Sequence, residues 1–273
     1  MQYKFWAKKY LGQHFLVDKN ILNKIIRAAD LSKNDTVLEI GAGTGTLTKK
    51  LCEKAKKVIA VEIDKGMVEI LKKSLEKEIK SKKLEIIEGD ILKLNPKSEI
   101  LISKSPPRRD SAEAGQIQNS KFKIVANIPY QITAPILEKF LTAEDKPKEM
   151  VLMVQKEVAQ KICCQPPKMN RLGILVQFYG TPQIIGYVSK NCFRPRPMID
   201  SALLKIAISE KFKVQDPRLF FDLVKKGFSQ KRKQLKNIFN KEALISAMIR
   251  PDLRAEELKL EDWLRLYEYF KKN

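Results

Sequence analysis

Three glycines at alternate positions, Gly41, Gly43 and Gly45, follow directly on the apolar run Thr36-Val-Leu-Glu-Ile40 and open a stretch of helical pattern. No other feature of this chain restricts its fold as much. A strand that turns abruptly into a helix needs residues free to take left-handed backbone angles, and a backbone without Cβ atoms lets a bound molecule approach closely. The rest of the first two-thirds agrees with such a unit. Val58–Ile63 reads as a second strand, Leu84–Glu88 as a third, Phe122–Ala126 as a fourth and Glu149–Val154 as a fifth. Between the second and third, Val68, Leu71, Leu75 and Ile79 recur at helical spacing within Lys65–Lys83. Strands alternating with helices predict a doubly wound α/β fold, a mostly parallel sheet covered on both faces. Gln183–Val188 and Ala202–Ile208 have no full helix between them and are expected as an antiparallel pair at one edge.

Two interruptions set the domain plan. The run 103–120 contains Pro106-Pro107-Arg108-Arg109 and Gly115 and is far longer than the ~2–6 residues of a compact α/β connection, so it reads as a surface insertion with no catalytic role. Beyond Lys211 the strand patterns stop. Asp216-Pro217 marks a helix start, Arg250-Pro251 a break, and Trp263, Leu266, Tyr267 and Phe270 share one face of a last helix. The expected plan is a sheet domain over residues 1–210, interrupted at about 103–120, and a small basic helical domain over 211–273.

Composition narrows the partners. Lys and Arg total 53 against 32 Asp and Glu, a formal net charge of +21, which points to a polyanion, with nucleic acid ahead of a membrane surface. The alternative is a surface kept soluble by lysine. Nine of the basic residues lie between Lys211 and Lys236, against two acidic ones. The one histidine, His14, rules out a zinc site of several His ligands, and the four cysteines (Cys52, Cys163, Cys164, Cys192) form no Cys-x-x-Cys pair, so no metal site is expected. There is no signal-peptide pattern and no apolar run near the ~18 residues of a spanning helix. A cytoplasmic, monomeric protein with reduced thiols is the expectation.

The chemistry resides at strand ends. Dinucleotide sites want Gly-x-Gly-x-x-Gly, which would place the third glycine at Thr46; here it falls at Gly45, and with Glu39 two residues before Gly41 the spacing suits S-adenosylmethionine. Glu62 ends the second strand, where a carboxylate accepts from both ribose hydroxyls of a nucleoside, and Asp90 follows the third, in reach of an adenine amino group. Either acid alone is as well read as a solvated strand end; it is their occurrence at successive carboxyl ends of one sheet that argues for a nucleoside. A sulfonium cofactor also suits an acidic trio of Glu39, Glu62 and Asp90. Directly after the fourth strand stands Asn127-Ile-Pro-Tyr130. An exocyclic adenine nitrogen is a poor nucleophile, and acceptors aimed at its two protons stabilise the positive charge that grows during alkylation. The Asn127 side-chain oxygen and the Ile128 carbonyl supply such acceptors, Pro129 stiffens the turn, and Tyr130 offers a ring on which an extracted base stacks.

With these motifs the chain resembles the small-subunit ribosomal RNA adenine-N6 dimethyltransferases of the kasugamycin-sensitivity type. The resemblance runs from Lys9 almost to the end. It includes Leu11-Gly-Gln-His-Phe-Leu16, the glycine motif, Glu62, Gly89-Asp90 and Asn127-Ile-Pro-Tyr130, then Gln155-Lys-Glu-Val158, Phe193-Arg-Pro-Arg-Pro-Met-Ile-Asp-Ser-Ala202 and Phe228-Ser-Gln-Lys-Arg-Lys-Gln-Leu-Lys-Asn237. It implies a Rossmann-like class I methyltransferase sheet and a cofactor site of His14, Leu16, Gly41, Glu62, Asp90 and Asn127. It also implies catalysis by Asn127, Ile128, Pro129 and Tyr130. By the resemblance the substrate is two adjacent adenosines near the 3′ end of the RNA in the assembling small subunit, two methyls each; the basic run itself points to RNA contacts by Lys231, Arg232 and Lys233. On the residues alone, His14 beside Phe15 reads as structural. The chain departs from the family in the 103–120 insertion, in Lys231 where arginine is common, and in Asn170-Arg-Leu-Gly-Ile174 in place of a Gly-Arg-Leu-Ser pattern. Rival readings are the large-subunit adenine methyltransferase of macrolide resistance and a non-catalytic nucleic-acid-binding relative. The Phe193–Ala202 and Phe228–Asn237 segments weigh against the first and the intact Asn127-Ile-Pro-Tyr130 against the second. A nicotinamide dehydrogenase is disfavoured by the glycine spacing.

Overall fold

The structure is a computed structural model that describes residues 7–95 and 122–272. In chain order the elements are β1 (Phe15–Leu16), α1 (Lys19–Ala29), β2 (Thr36–Ile40), α2 (Thr46–Lys54), β3 (Lys57–Glu62), α3 (Lys65–Ser74), α4 (Glu76–Lys80) and β4 (Leu84–Glu88). Then follow β5 (Lys123–Asn127), α5 (Thr133–Leu141), β6 (Glu149–Gln155), α6 (Lys156–Ile162), α7 (Arg171–Tyr179), β7 (Gly180–Val188), β8 (Phe193–Arg194) and β9 (Ser201–Ile208). The last helices are α8 (Pro217–Gly227), α9 (Lys241–Ser246) and α10 (Leu260–Lys272). The segment 103–120 lies outside the described residues.

Seven strands form one sheet in the order β4-β3-β2-β5-β6-β9-β7. β2 is parallel to β3 and β5, β3 to β4, and β5 to β6, while β9 runs antiparallel to β6 from Ser201 opposite Gln155 to Ala207 opposite Glu149. Strand order reverses between β2 and β5, so a crevice opens at their carboxyl ends, where Gly41 and Asn127 emerge. The expected edge pair is present: β7 and β9 are neighbours, with β9 inserted beside β6. A feature the pattern did not announce is the two-stranded ribbon of β1 and β8, with Phe15 opposite Arg194 and Leu16 opposite Phe193.

The chain divides into two compact units. The first, Met1–Lys156 with Ile184–Ile208, holds the sheet; the second comprises Glu157–Gln183 and Ser209–Asn273. The first has a core of strand residues such as Val37, Val58, Val125, Val151 and Leu203, packed with Ile25 and Leu51 from α1 and α2. In the second, Phe178 of α7 stacks on Phe220 of α8 at 4.8 Å, with Trp263 and Tyr267 of α10 fully buried. A boundary drawn at residue 210 thus differs from the structure by one excursion. Glu157–Gln183 leaves the sheet unit because Ile174 and Phe178 find their apolar partners among the helices, a long-range match that a local pattern does not reveal.

The helix expected over Lys65–Lys83 is broken at Leu75, which takes φ −120° and ψ 30° between α3 and α4. The step keeps Leu75 buried, and Leu71 and Leu75 lie against Gly45, where a Cβ would stand 2.8 Å from Leu71 Cδ2. Gly45 therefore serves close packing of α3 on the start of α2 as well as the turn, which its φ of 82° requires.

Candidate active site

Gly41, Gly43 and Gly45 all take positive φ, 73°, 54° and 82°. The turn is fastened to β3: Gly41 N–H donates to Val61 O at 2.9 Å, and Gly43 N–H to Glu62 Oε2 at 2.8 Å. The other Glu62 oxygen, Oε1, accepts from Asp64 N–H at 2.9 Å. Each oxygen keeps a second lone pair for a ligand. Burial raises the Glu62 pKa, opposed by those two N–H bonds. Glu39 differs. It is 1% exposed, burial reinforced by the charge of Glu62 pushes its pKa up to about 8 against a weak opposing contact from the Thr48 hydroxyl, and no N–H among the described residues donates to Glu39 Oε2. Of the two buried glutamates, the backbone favours the anion at Glu62 and leaves Glu39 carrying a proton at neutral pH. The expected acidic trio is corrected accordingly: burial holds Glu39 in its neutral form at neutral pH.

Asp90 follows β4 and turns one oxygen inward on its own loop, Oδ1 accepting from Leu92 N–H at 3.0 Å. The segment before α1 forms the opposite wall. Lys8 Nζ and Gln13 Nε2 bind the two oxygens of Asp64 at 2.9 and 3.0 Å. Burial works against the Asp64 charge, yet Lys8, Gln13 and the Gly66 N–H hold its pKa below the usual carboxylate range. Asp64 also caps α3 through Gly66 N–H. Its place one residue ahead of a helix is a readable N-cap signal, but its role in securing the N-terminal wall is not.

Asn127 ends β5. Its Nδ2 donates to the His14 carbonyl at 3.0 Å, which directs the amide and leaves Oδ1 as an acceptor. Of the carbonyls that follow, Pro129 O accepts from Ile132 N–H at 3.2 Å and Tyr130 O from Thr133 Oγ1 at 3.0 Å. The Tyr130 ring is clamped: its hydroxyl lies 2.7 Å from Ser201 Oγ, and the His14 ring stacks on it at 5.9 Å and 24°. His14 Nδ1 is 2.8 Å from the Pro195 carbonyl, so Nδ1 carries the proton. Ser201 and Pro195 lie some seventy residues beyond Tyr130, and only the fold brings them to it.

His14, Leu16, Gly41, Glu62, Asp90 and Asn127, together with Glu39, Ile128, Pro129 and Tyr130, all line one cavity of about 210 Å³ in the sheet unit. Lys231, Arg232 and Lys233 belong to the second unit, all exposed on the turn between α8 and α9 and not on a helix face. Among the described residues no helix is long and apolar enough to cross a membrane.

A sheet of this order with an antiparallel β9, a glycine turn after β2 and an acid closing β3 defines a class I methyltransferase, whose methyl donor is S-adenosylmethionine. The chain belongs to the ribosomal RNA adenine dimethylase family, whose sequence profile matches residues 4–272. It is 40% identical to a ribosomal RNA small subunit methyltransferase A from Dehalococcoides mccartyi, over 99% of this chain and 91% of that one. Among solved structures it is similar to a dimethyladenosine transferase from Plasmodium falciparum, with a TM-score of 0.76 and 29% identity over 95% of this chain and 98% of the other. The 23S ribosomal RNA methyltransferase ErmE shares the fold, with a TM-score of 0.68 and 24% identity over 94% of this chain and 99% of that one.

Proposed function

We propose that this protein transfers methyl groups from S-adenosylmethionine to N6 of two adjacent adenosines near the 3′ end of small-subunit ribosomal RNA, two to each, acting as a monomer on the assembling subunit in the cytoplasm. The observation that carries this reading is the placement of Asn127 on the same cavity as the glycine turn, with its amide nitrogen spent on His14 O and its oxygen left to accept. The cavity fits the cofactor. Glu39 Oε2 is a buried acceptor with no N–H donor among the described residues, suited to a ligand that brings N–H groups, and Glu62 retains a lone pair on each oxygen. In this reading Glu62 holds the ribose, Asp90 the adenine amino group, and His14, Leu16, Gly41 and Asn127 complete the enclosure.

When bound, S-adenosylmethionine supplies an electrophilic methyl group on its sulfonium. The protein's part is to hold the target nitrogen in line and stabilise the charge that grows on it. Asn127 Oδ1 and the Ile128 carbonyl accept its two N–H groups, Pro129 keeps that carbonyl pointed, and the braced Tyr130 ring stacks under the extracted base. The nitrogen's proton leaves to water after transfer, so no general base is needed. Lys231, Arg232 and Lys233 engage RNA phosphates.

The test uses small-subunit particles from cells lacking the protein, with large-subunit RNA as the competing substrate. Mass spectrometry should find N6,N6-dimethyladenosine at two adjacent positions of the small-subunit RNA. Asn127→Ala should cut the single-turnover rate by at least ~100-fold, the order attached to a lost transition-state acceptor, and lower RNA binding far less. Product on large-subunit RNA alone would select the other substrate.

A further inference from the structure

The segment joining β8 to β9 is fastened at both ends to the pair of rings that flanks Asn127. At its start Pro195 O accepts from His14 Nδ1 at 2.8 Å; at its end Ser201 Oγ meets the Tyr130 hydroxyl at 2.7 Å. Its interior is braced as well. Lys190 Nζ donates to Met198 O at 3.2 Å, Lys190 N–H to Asp200 Oδ1 at 3.0 Å, and Lys156 N–H to Asp200 O at 3.1 Å. On this held loop Met198 is 91% exposed, while its neighbour Pro197 is buried. A chain spans at most ~3.6 Å per residue, so Met198 lies within about 11 Å of both anchors. Arg194 and Arg196, both exposed, stand on the same segment. Asp200 is already engaged by Lys190. An apolar side chain presented to water by four hydrogen-bonded anchors, just after two cationic residues and on the segment that braces the Tyr130 ring, fits a nucleic acid better than a protein surface.

Taking an adenine out of its stack leaves a gap between its neighbours, and apolar wedges, methionine among them, commonly enter base steps that proteins open. We propose that Met198 is the wedge that occupies the space left by the target adenine, with Arg194 and Arg196 on the phosphates to either side. This rests on the adenine-N6 reading above. Methionine is unbranched and adaptable, which suits a site that must serve two adjacent adenosines in succession.

The test places 2-aminopurine at the target position of an RNA fragment carrying the two adenosines and records its fluorescence on binding the full protein, alongside single-turnover methylation of small-subunit particles. Met198→Ala should lose most of the fluorescence rise and slow methylation about tenfold or more, Met198→Leu should restore both to within about threefold, and S-adenosylmethionine affinity and melting temperature should match wild type in both variants. Wild-type fluorescence and rate in Met198→Ala, beside an active wild type, would overturn the wedge and leave the enzymatic reading intact. Loss of a protein contact or of self-association in Met198→Ala with unchanged fluorescence would overturn it in favour of a protein partner. A wild type that methylates neither substrate overturns the adenine-N6 reading and the wedge with it.

Discussion

Glu39 shows what a single side chain in this site answers to. It stands on β2 two residues before the glycine turn, and its type and spacing suggested an anion facing a sulfonium. Burial decides otherwise, since among the described residues no N–H donates to its buried Oε2 and Glu62 lies close by. With a folded pKa of about 8 against 4.5 for a free glutamate, the native state binds a proton that the unfolded chain releases as pH rises from about 4.5 to 8. Stability from this group is therefore greatest below pH 4.5 and falls through that window, at roughly 1.4 kcal/mol per pH unit while the difference is a full proton. Glu39→Gln keeps the shape and removes the titration. Its melting temperature should exceed wild type at pH 8 and converge with it near pH 5, and parallel wild-type and mutant profiles over that range would show Glu39 already ionised in the folded protein. The protonated state was not legible in the sequence because it depends on which groups face the carboxyl, and Thr48, Glu62 and the missing donor are facts of the fold. Residues at strand ends were legible because the turn and the sheet dictate them: Gly41, Glu62, Asp90 and Asn127 come to one cavity as the alternation of strands predicts.

At the scale of elements, β2 and β4 match the expected Thr36–Ile40 and Leu84–Glu88 at both ends, since a short run built on Val, Leu and Ile and stopped by a glycine, Gly41 or Gly89, leaves little freedom. The helices were less transparent. Leu75 fits the apolar stripe of one long helix, and the break appears only when Gly45 draws Leu71 and Leu75 against the turn. The departure at 170–174 also finds its reason in local packing. Asn170 caps α7 by accepting from Gly173 N–H at 2.9 Å, and a Cβ on Gly173 would lie 2.9 Å from Lys161 O, so the cap residue and the small residue have exchanged places relative to a Gly-Arg-Leu-Ser pattern. A sharper case is Gly227, the last residue of α8. Helix propensity alone favours alanine there by up to about 1 kcal/mol. The structure sets the edge of the Trp263 ring in the volume a Cβ would take, and both residues are buried in the helical unit. Gly227→Ala should therefore destabilise by about 1–3 kcal/mol through overpacking, read as a lower urea midpoint with a changed tryptophan emission. A stabilised variant would mean that Trp263 yields the space freely.

For the whole molecule the controlling quantity is the net charge of +21, carried by a chain whose cavity is lined by acids. The two belong to different tasks. In the proposed reaction Glu62 and Asp90 address the cofactor, while the surplus of lysine and arginine addresses an RNA whose phosphates must be neutralised for docking. Each phosphate neutralised releases condensed counterions, so affinity for the small subunit should fall log-linearly with salt, by roughly 0.7–0.9 in slope per phosphate contacted. Lys231, Arg232 and Lys233 are exposed on the turn after α8, outside the cavity lining, where alanine removes charge with little cost to packing. Replacing all three should flatten the slope by about two to three and leave S-adenosylmethionine affinity unchanged. Titrations of wild type and the triple variant across a salt series decide between a docking turn and a surface that only keeps the chain soluble. Equal slopes would assign the phosphate contacts to other basic residues of this chain.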